Sequence, residues 1–436
     1  MRVHFTNLGC KLNQAELEQL ARKFVAAGHE IVNSLEEADL HVINSCTVTH
    51  VAARTSRKVA RRGRRTNPGV KTVLAGCYAT AEPAEATRLA GVDLVVDNDQ
   101  KDRLVEIIHE HLLDHAPSTP TFRLPAPFAP LEFGNTRALV KVQDGCNMRC
   151  AFCVIPFTRG PERSHSVDEV VRDVQELVAG GVQEVVITGV QISSYRANGH
   201  SLYDLTTALL EWTDVPRLRL TSIAPWEFDD RLLGLWMDSR LCRHVHMSLQ
   251  SGCTATLRRM RRPYTAERFA GVIEMIRQAI PGVGITTDVI VGFPGETREE
   301  FQQSLEFVER LEFAKVHVFP FSARPGTEAA SLPAHVSYQE KKARVDAMLQ
   351  VAKASTRQFQ QRFLGRRLDV LWESRNTRNG QSRSDGHWQG ITDNYIRVVT
   401  KSSEDLYNTI TRTRLVRWTA EGILGVSNQS SVISNQ

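Results

Sequence analysis

The first hundred residues repeat one pattern, a short apolar run followed by a longer stretch with helical spacing. In the stretch from Gln14 to Ala27, for example, Leu17, Leu20 and Phe24 recur on one face. Strands that alternate with helices in this way predict an α/β fold with a parallel sheet. The predicted strands, each with the cysteine that follows it, are Arg2 to Asn7 with Cys10, Asp39 to Asn44 with Cys46, and Lys71 to Ala75 with Cys77.

The same alternation returns after Arg137 and is repeated about six times. The predicted strands are Ala138–Gln143, Glu184–Thr188, Arg217–Ser222, Arg243–Leu249, Val283–Val291 and Lys315–Phe321. The predicted helices are Ser166–Ala179, Leu202–Trp212, Phe228–Met237, Thr265–Ala279 and Thr297–Leu311. Such βα units predict an open, partial (β/α)6 barrel of the TIM-like kind, with chemistry at the C-terminal ends of its strands.

The last part of the chain shows a third pattern. After a long predicted helix from Ser337 to Phe363, short apolar runs separated by Asn, Gly, Ser and Asp predict a small β-barrel. The predicted strands are Leu368–Glu373, His387–Ile391, Tyr395–Thr400, Asn408–Thr413 and Gly425–Val426. Its basic and aromatic residues suit RNA, although the aromatic side chains could equally form its core. Those aromatic residues are Trp372, Trp388, Tyr395, Tyr407 and Trp418.

The three patterns divide the chain into domains at 1–114, 136–363 and 364–430. Residues 115–135 contain five prolines without periodicity and predict an extended linker. A chain of 436 residues is long enough for three domains that each bury a core of their own.

Composition narrows the class of protein. A hydrophobic fraction of 42% and a charged fraction of 24% are typical of a globular protein. No run approaches the roughly 18 apolar residues of a membrane span, and the N-terminus lacks a signal-peptide pattern, so we expect a cytoplasmic protein without membrane contact. The eight cysteines do not predict disulfides in that reducing compartment.

The net charge of +5 is modest, but its distribution is uneven. Between Val51 and Val70 there are basic residues and no acidic ones, as phosphate contacts require. We expect RNA binding at Arg54, Arg57, Lys58, Arg61 and Arg62. The alternative is an exposed basic helix face without a partner.

Cys146, Cys150 and Cys153 form a C-x3-C-x2-C motif directly after the first predicted barrel strand. A structural zinc site uses four protein ligands, whereas a four-iron cluster held by three cysteines keeps one iron open. The motif therefore favours an iron–sulfur cluster over zinc. The alternative is three buried thiols that bind no metal.

The other three strand-end cysteines are Cys10, Cys46 and Cys77. They are far apart in sequence, but the loops after parallel strands gather at one edge of a sheet. We expect them to converge as a second cluster site, with Gly9 and Gly76 allowing the backbone to come close. Coincidental cysteines in three loops are the alternative.

These motifs resemble the methylthiotransferase branch of the radical S-adenosylmethionine superfamily, from about Met1 to Gly425. The segments that carry the resemblance are Leu8–Gln14, Asn44–Thr49, Ala75–Cys77, Gly145–Gly160, Leu249–Gly252 and Asp288–Glu296. Lys11, Thr47–Thr49 and Arg324–Thr327 most resemble the members that act on threonylcarbamoyladenosine in tRNA. Cys253 and Ala15 depart from the usual pattern of that branch.

The resemblance implies an N-terminal cluster domain, a radical S-adenosylmethionine core and a C-terminal TRAM barrel. It implies two [4Fe–4S] clusters and S-adenosylmethionine, with Thr188, Gly189, Ser248 and Gln250 beside that cofactor. The catalytic trio Cys146, Cys150 and Cys153 would hold the cluster that generates a 5′-deoxyadenosyl radical, and the other trio would hold the cluster that carries methylated sulfur to C2 of the adenine. The implied partners are a tRNA anticodon stem-loop, an electron-donor protein such as flavodoxin or ferredoxin, and a sulfur donor.

Three alternatives remain open from the sequence. The same chemistry could act on isopentenyladenosine in tRNA or on an aspartate of a ribosomal protein. A protein of another class, a non-catalytic RNA-binding module with structural zinc, would also contain clustered cysteines and basic residues.

Overall fold

The computed structural model describes residues 1–112, 136–375, 377–378, 381–382 and 386–427. The predicted linker 115–135 lies outside the described residues. The N-terminal part is a parallel sheet in which the second strand lies at one edge and the others follow in the order first, third, fourth, fifth. Its strands are Arg2–Asn7, Glu30–Ile31, Leu40–Ser45, Lys71–Gly76 and Leu94–Val96.

Helices connect and cover this sheet. They are Lys11–Ala26, His50–Thr66, Cys77–Ala81, Pro83–Thr87 and Leu104–Leu112, the last preceded by a 3-10 turn at Lys101–Arg103. Phe24 of the first helix is buried against Val42 and Val73 of the sheet. The two short strands Glu30–Ile31 and Leu94–Val96 were not predicted, because two or three residues are too few to show a period.

The central part contains six parallel strands in two sheets of three. They are Arg137–Lys141, Glu184–Thr188 and Arg217–Leu220 in one, and His244–His246, Gly284–Val291 and Lys315–Pro320 in the other. Isolated bridges between Leu218 and Leu241 and between Ile223 and Met247 join the two. We call the joined strands the central sheet.

The helices around the central sheet include the predicted ones in all places but one, together with three short helices that were not predicted. They are Ile155–Arg159, Val167–Ala179, Leu202–Trp212, Leu232–Leu235, Thr254–Arg259, Ala266–Ala279, Arg298–Leu311, Glu328–Ser331 and Tyr338–Gln361. The helix predicted at Phe228–Met237 is a single turn. Asp229 accepts hydrogen bonds from the backbone and side chain of Arg231, and this local turn competes with helix formation.

Side chains alternate between the two faces of the central sheet, as they must in strands. Val140, Ile187 and Val289 belong to the large core shared with the surrounding helices. The opposite face, which we call the inner face, carries Leu139 and Val186, and Ala15 of the first helix packs on them. The N-terminal part therefore contributes a helix to the inner face.

Glu18 of the same helix also accepts a hydrogen bond from the backbone N–H of Leu139, a residue of the terminal strand in its three-stranded sheet. A strand at such a position has backbone groups without a neighbouring strand. The helix thus satisfies one of these groups as well as covering the inner face.

The C-terminal part is a closed five-stranded barrel. Its strands are Arg367–Arg375, His387–Thr392, Arg397–Lys401, Ile410–Trp418 and Ile423–Ser427, with the short pair Thr377–Arg378 and Gln381–Ser382 outside it. Trp372 and Trp388 are fully buried in its core. For these two aromatic residues the core interpretation is correct and base stacking is not.

The barrel is joined to the central sheet at the N-terminal ends of its strands. Arg219 of the sheet donates to the backbone oxygens of Thr392 and Asp393 in the barrel. Asp393 in turn pairs with Arg243 at 2.6 Å. The opposite end of the sheet, where the strands have their C-termini, is left for the cysteine loops.

Candidate active site

Cys146, Cys150 and Cys153 lie together on the loop that follows the first strand of the central sheet. They line a cavity of about 580 Å³. The Cys146 sulfur accepts a hydrogen bond from the backbone N–H of Met148 at 3.4 Å. Burial raises the pKa of the Cys146 thiol and raises that of Cys153 to about 12. Because burial disfavours the free thiolates, a positive metal centre is the partner that would ionise them.

Arg262 connects this loop to a later part of the central domain. Its Nη1 donates to the Cys150 sulfur at 3.2 Å. The guanidinium lies over the Trp226 ring, 4.7 Å from its centre, and over Tyr264, whose hydroxyl donates to backbone oxygens at the end of the His244–His246 strand. Arg262 therefore approaches Cys150 from a fixed direction.

Cys10, Cys46 and Cys77 converge from three loops at one edge of the N-terminal sheet. A methyl group on Gly9 would come within 2.8 Å of the Cys46 sulfur, so glycine is required for this approach. Gly76, just before Cys77, has a φ of 95° that favours glycine. Burial raises the pKa of Cys10 and raises that of Cys46 to about 11, and neighbouring cysteines act in the same direction on both.

Both trios fit an iron–sulfur cluster better than a single ion. Among the residues that the structure describes, no group of three His, Cys, Asp or Glu side chains is arranged to hold one metal ion. The cysteine ligands of a four-iron cluster each bind a different iron, so they stand further apart than the ligands of one ion. Three gathered sulfurs without a fourth protein ligand also differ from structural zinc.

A buried network of charges links the two trios. Arg159, 1% exposed, ends the helix after the Cys146–Cys153 loop and donates to Glu16 at 2.8 Å and to Asn13 at 2.6 Å. Asn13 lies one turn after Cys10 and accepts from its thiol at 3.7 Å. The loop of one trio is thus bonded to the helix that begins at the other.

Further bonds surround the same network. Arg159 also pairs with Asp144 at 2.9 Å, and Lys101 pairs with Glu16 at 2.5 Å. Burial opposes ionisation of Glu16, but Lys101 and Arg159 hold its pKa well below the usual range. Lys101 also donates to Asn98, whose amide donates to the Cys77 sulfur at 3.6 Å. Apart from Arg159 at the end of the cysteine motif, no sequence pattern predicts this network, because its members lie far apart along the chain.

The four predicted cofactor contacts lie at or just after the C-terminal ends of strands of the central sheet, and none of them lines the cavity at the Cys146–Cys153 loop. Thr188 ends its strand, and a methyl group on Gly189 would come within 2.9 Å of the Gln143 backbone oxygen. The Ser248 backbone oxygen accepts from a tyrosine hydroxyl. Gln250 adopts a φ of 67° and exchanges backbone hydrogen bonds with the Gly284–Val291 strand. Their contact with a cofactor stays a prediction.

Several polar side chains on the inner face were not predicted. Lys11 is exposed, although desolvation by the surrounding protein lowers its pKa. Its amine lies 5.7 Å from the centre of the Tyr395 ring, which comes from the C-terminal barrel. Asp288 on the same face bonds to His246 at 3.3 Å.

The predicted basic segment is the helix His50–Thr66. It begins with a side-chain cap from Thr49, and its buried face is formed by small residues such as Ala53, Ala60 and Gly63. A groove of about 400 Å³ on its exposed side is lined only by cations, which are Arg54, Arg57, Lys58, Arg61, Arg62 and Arg65. Arg57 has a partner in Glu85 at 3.7 Å. The five predicted RNA contacts therefore share one surface, and their role stays a prediction.

Comparison with known proteins shows the family to which this chain belongs. A family model described as the radical SAM superfamily matches residues 140–308, and one described as uncharacterized protein family UPF0004 matches residues 2–97. The chain is 34% identical over 95% of its length, and 94% of the relative's, to the threonylcarbamoyladenosine tRNA methylthiotransferase MtaB of Bacillus subtilis. The chain belongs to the radical S-adenosylmethionine methylthiotransferase family.

Other members of the family are also similar. The MtaB protein of Aquifex aeolicus is 37% identical over 85% of this chain and 92% of its own. The ribosomal protein uS12 methylthiotransferase RimO of Chloroflexus aurantiacus is 33% identical over 86% of this chain and 88% of its own. The cofactors of this methylthiotransferase are S-adenosylmethionine and [4Fe–4S] clusters, and each of its cysteine trios offers the three thiolates that a cluster with an open iron needs.

Solved structures agree on the fold. The radical S-adenosylmethionine methyltransferase TsrM of Kitasatospora setae aligns with a TM-score of 0.56 at 17% identity, covering 76% of this chain and 77% of its own. At that identity the likeness concerns the fold alone.

Among the described residues of this methylthiotransferase, no helix is long and apolar enough to cross a membrane.

Proposed function

We propose that this enzyme converts N6-threonylcarbamoyladenosine, next to the anticodon of a tRNA, to its 2-methylthio derivative. The observation that carries the proposal is the pair of cysteine trios joined by the Arg159–Glu16 network. Two metal centres on one framework suit a reaction that must both activate a carbon and supply sulfur to it. The substrate in this proposal is inferred from the two MtaB relatives described above, which are named threonylcarbamoyladenosine tRNA methylthiotransferases.

Each group of residues has a role in this proposal. When bound, the cofactors supply the carbon radical and the methylated sulfur, and the protein's contribution is to hold and shield them. Cys146, Cys150 and Cys153 hold the radical-generating centre in an open partial (β/α)6 barrel, with Arg262 hydrogen-bonded to one ligand sulfur. Thr188, Gly189, Ser248 and Gln250 lie where strand ends would receive S-adenosylmethionine.

Cys10, Cys46 and Cys77 hold the second centre, and the buried bonds from Arg159 to Glu16 and Asn13 fix its distance from the first. Fixed spacing matters because a misplacement of about 1 Å can cost roughly 100-fold in rate. The network also excludes water between the trios, since Arg159 and Lys101 are buried.

The tRNA would bind through its phosphates on the cationic groove of the His50–Thr66 helix. The closed C-terminal barrel, which we assign as a TRAM domain, would offer basic residues of its own to the RNA. We place the reaction in the cytoplasm with tRNA, and an electron-donor protein such as flavodoxin or ferredoxin and a sulfur donor would serve it there.

Mass spectrometry of tRNA nucleosides tests the proposal. Cells that lack the gene should lose 2-methylthio-N6-threonylcarbamoyladenosine and regain it on complementation. Loss of the methylthio derivative of isopentenyladenosine instead would assign the enzyme to that branch. Unchanged tRNA together with an unmodified ribosomal aspartate would refute a tRNA substrate.

A further inference from the structure

A group of side chains on the inner face has no role in the function proposed above. Lys11 enters from the helix Lys11–Ala26, Lys315 from the last strand of the central sheet, and Tyr395 from the C-terminal barrel. The charges of both lysines act on the Tyr395 hydroxyl. His244 stacks on the tyrosine ring, 4.3 Å between ring centres. Three separate parts of the chain therefore meet at one place.

The arginines near this place already have partners. Arg219 pairs with Glu184 at 2.7 Å, and Arg137 pairs with Glu373 at 2.6 Å. In the part of the chain that the structure describes, the amines of Lys11 and Lys315 have neither a hydrogen bond nor an ion pair. Two positive charges that both act on one hydroxyl, with no counter-ion bonded to either, favour an anion between them.

The two nearby carboxylates are already bonded to other residues, Glu184 to Arg219 as described above and Asp288 to a histidine. Asp288 accepts a hydrogen bond from His246, which also bonds to Thr286. Burial lowers the pKa of His317 to about 4, so this histidine is neutral near pH 7. The site thus has two lysines with no carboxylate bonded to them and two nearby carboxylates that are already engaged.

We propose that Lys11, assisted by Lys315 and the Tyr395 hydroxyl, binds the carboxylate of the substrate's threonylcarbamoyl group and thereby determines substrate specificity. This inference rests on the proposed function. The dimethylallyl substituent of the related adenine is uncharged and would leave both lysines unpaired. Lys11 directly follows the predicted cluster ligand Cys10 along the chain, so the proposed carboxylate site and the centre that would supply sulfur share one helix N-terminus.

The test compares two anticodon stem-loops, one with the natural carboxylate and one with the same group as a neutral amide. We expect wild-type enzyme to bind and convert the carboxylate form about 10- to 100-fold better, since charge-assisted bonds are the strong ones. Lys11→Gln should lose this preference, while Lys11→Arg should keep part of it. Binding by fluorescence anisotropy gives a readout apart from turnover.

Lys23→Gln is the matched control. Lys23 lies on the same helix, roughly 18 Å further along at 1.5 Å per residue, and bonds to the Asp102 backbone oxygen. The Lys23→Gln variant should prefer the carboxylate form as strongly as wild-type enzyme does. If wild-type enzyme converts both stem-loops equally well, the inference is wrong and the proposed function stands. If it converts neither, the proposed function itself is wrong.

A second source of a carboxylate is the methionine end of S-adenosylmethionine. Equilibrium dialysis distinguishes the two, because Lys11→Gln should bind S-adenosylmethionine as wild type does. Weakened binding of the cofactor with an unchanged RNA preference would overturn the assignment to the substrate. The comparison of the two stem-loops on wild-type enzyme does not need a variant, so it decides even if Lys11→Gln loses iron.

Discussion

The two cysteine trios differ in how the chain brings them together. Cys146, Cys150 and Cys153 lie on one loop, so their proximity is set by local spacing. Cys10, Cys46 and Cys77 come from three loops, so their proximity depends on the order and register of the parallel strands. The geometry of the first trio should therefore tolerate distant changes in the central sheet. The geometry of the second trio should change whenever the strands of the N-terminal sheet shift.

The trios are also held against each other by different means. No strand pairs the N-terminal sheet with the central sheet in the described residues. The trios are linked by side-chain contacts, among which the buried network around Arg159 and Glu16 joins their two loops. Such networks contribute less to stability than to a fixed geometry. Changes to the network and to each trio should therefore have separable effects.

The largest effect is expected from Arg159→Met. The change leaves Glu16 and Asp144 buried with fewer partners, which typically costs about 3–5 kcal/mol. The thermal midpoint should fall, and methylthiolation should fall more than 5′-deoxyadenosine formation. Arg163→Met is the control, because Arg163 also pairs with Asp144, at 3.4 Å, but is 44% exposed, so its loss should cost little. An Arg159→Met enzyme with a normal thermal midpoint and a normal ratio of methylthiolation to 5′-deoxyadenosine formation would show that the network does not link the trios.

Two glycine substitutions should each disturb one cysteine trio and leave the other intact. Gly76→Ala forces a φ of 95° on alanine and brings its methyl group within 2.5 Å of Asn44 Oδ1, a strain of about 1–3 kcal/mol beside Cys77. Gly145→Ala has a φ of 69° and would clash with the Pro161 backbone oxygen beside Cys146. Iron analysis should show loss from the second centre in the first variant and from the radical-generating centre in the other. The same loss in both would contradict independent trios.

The smallest effect is expected on the cationic groove. Arg61→Gln with Arg62→Gln should weaken tRNA binding about tenfold and reduce the slope of log affinity against log salt by about 1.5, with both cluster sites intact. Lys342→Gln with Lys353→Gln removes two exposed cations from another helix and should change neither. Equal effects of the two double variants would mean that the groove is not the RNA surface.

The sequence was sufficient for what is local or periodic. The helix caps at Ser166 and Thr297, the strand Glu184–Thr188 and the helix Leu202–Trp212 were predicted from short-range signals. The convergence of Cys10, Cys46 and Cys77 followed from the rule that parallel strands end at one edge.

What could not be predicted depends on contacts between distant segments. Arg159 and Glu16 are ordinary charged residues in sequence, and only the packing of the first helix on the inner face brings them together. Tyr395 was expected on a β-barrel that suits RNA, and it instead reaches the inner face beside Lys11. No sequence spacing predicts that these side chains meet, because each lies in a different segment of the chain.

The division of labour between the trios is the central claim, and iron content with product analysis of Cys46→Ala tests it most directly. Wild-type enzyme should hold about eight iron atoms per chain after anaerobic reconstitution, and the variant about four. The variant should still release 5′-deoxyadenosine from S-adenosylmethionine while forming no methylthiolated tRNA. A Cys46→Ala enzyme that still methylthiolates tRNA, or that no longer cleaves S-adenosylmethionine, would contradict the account.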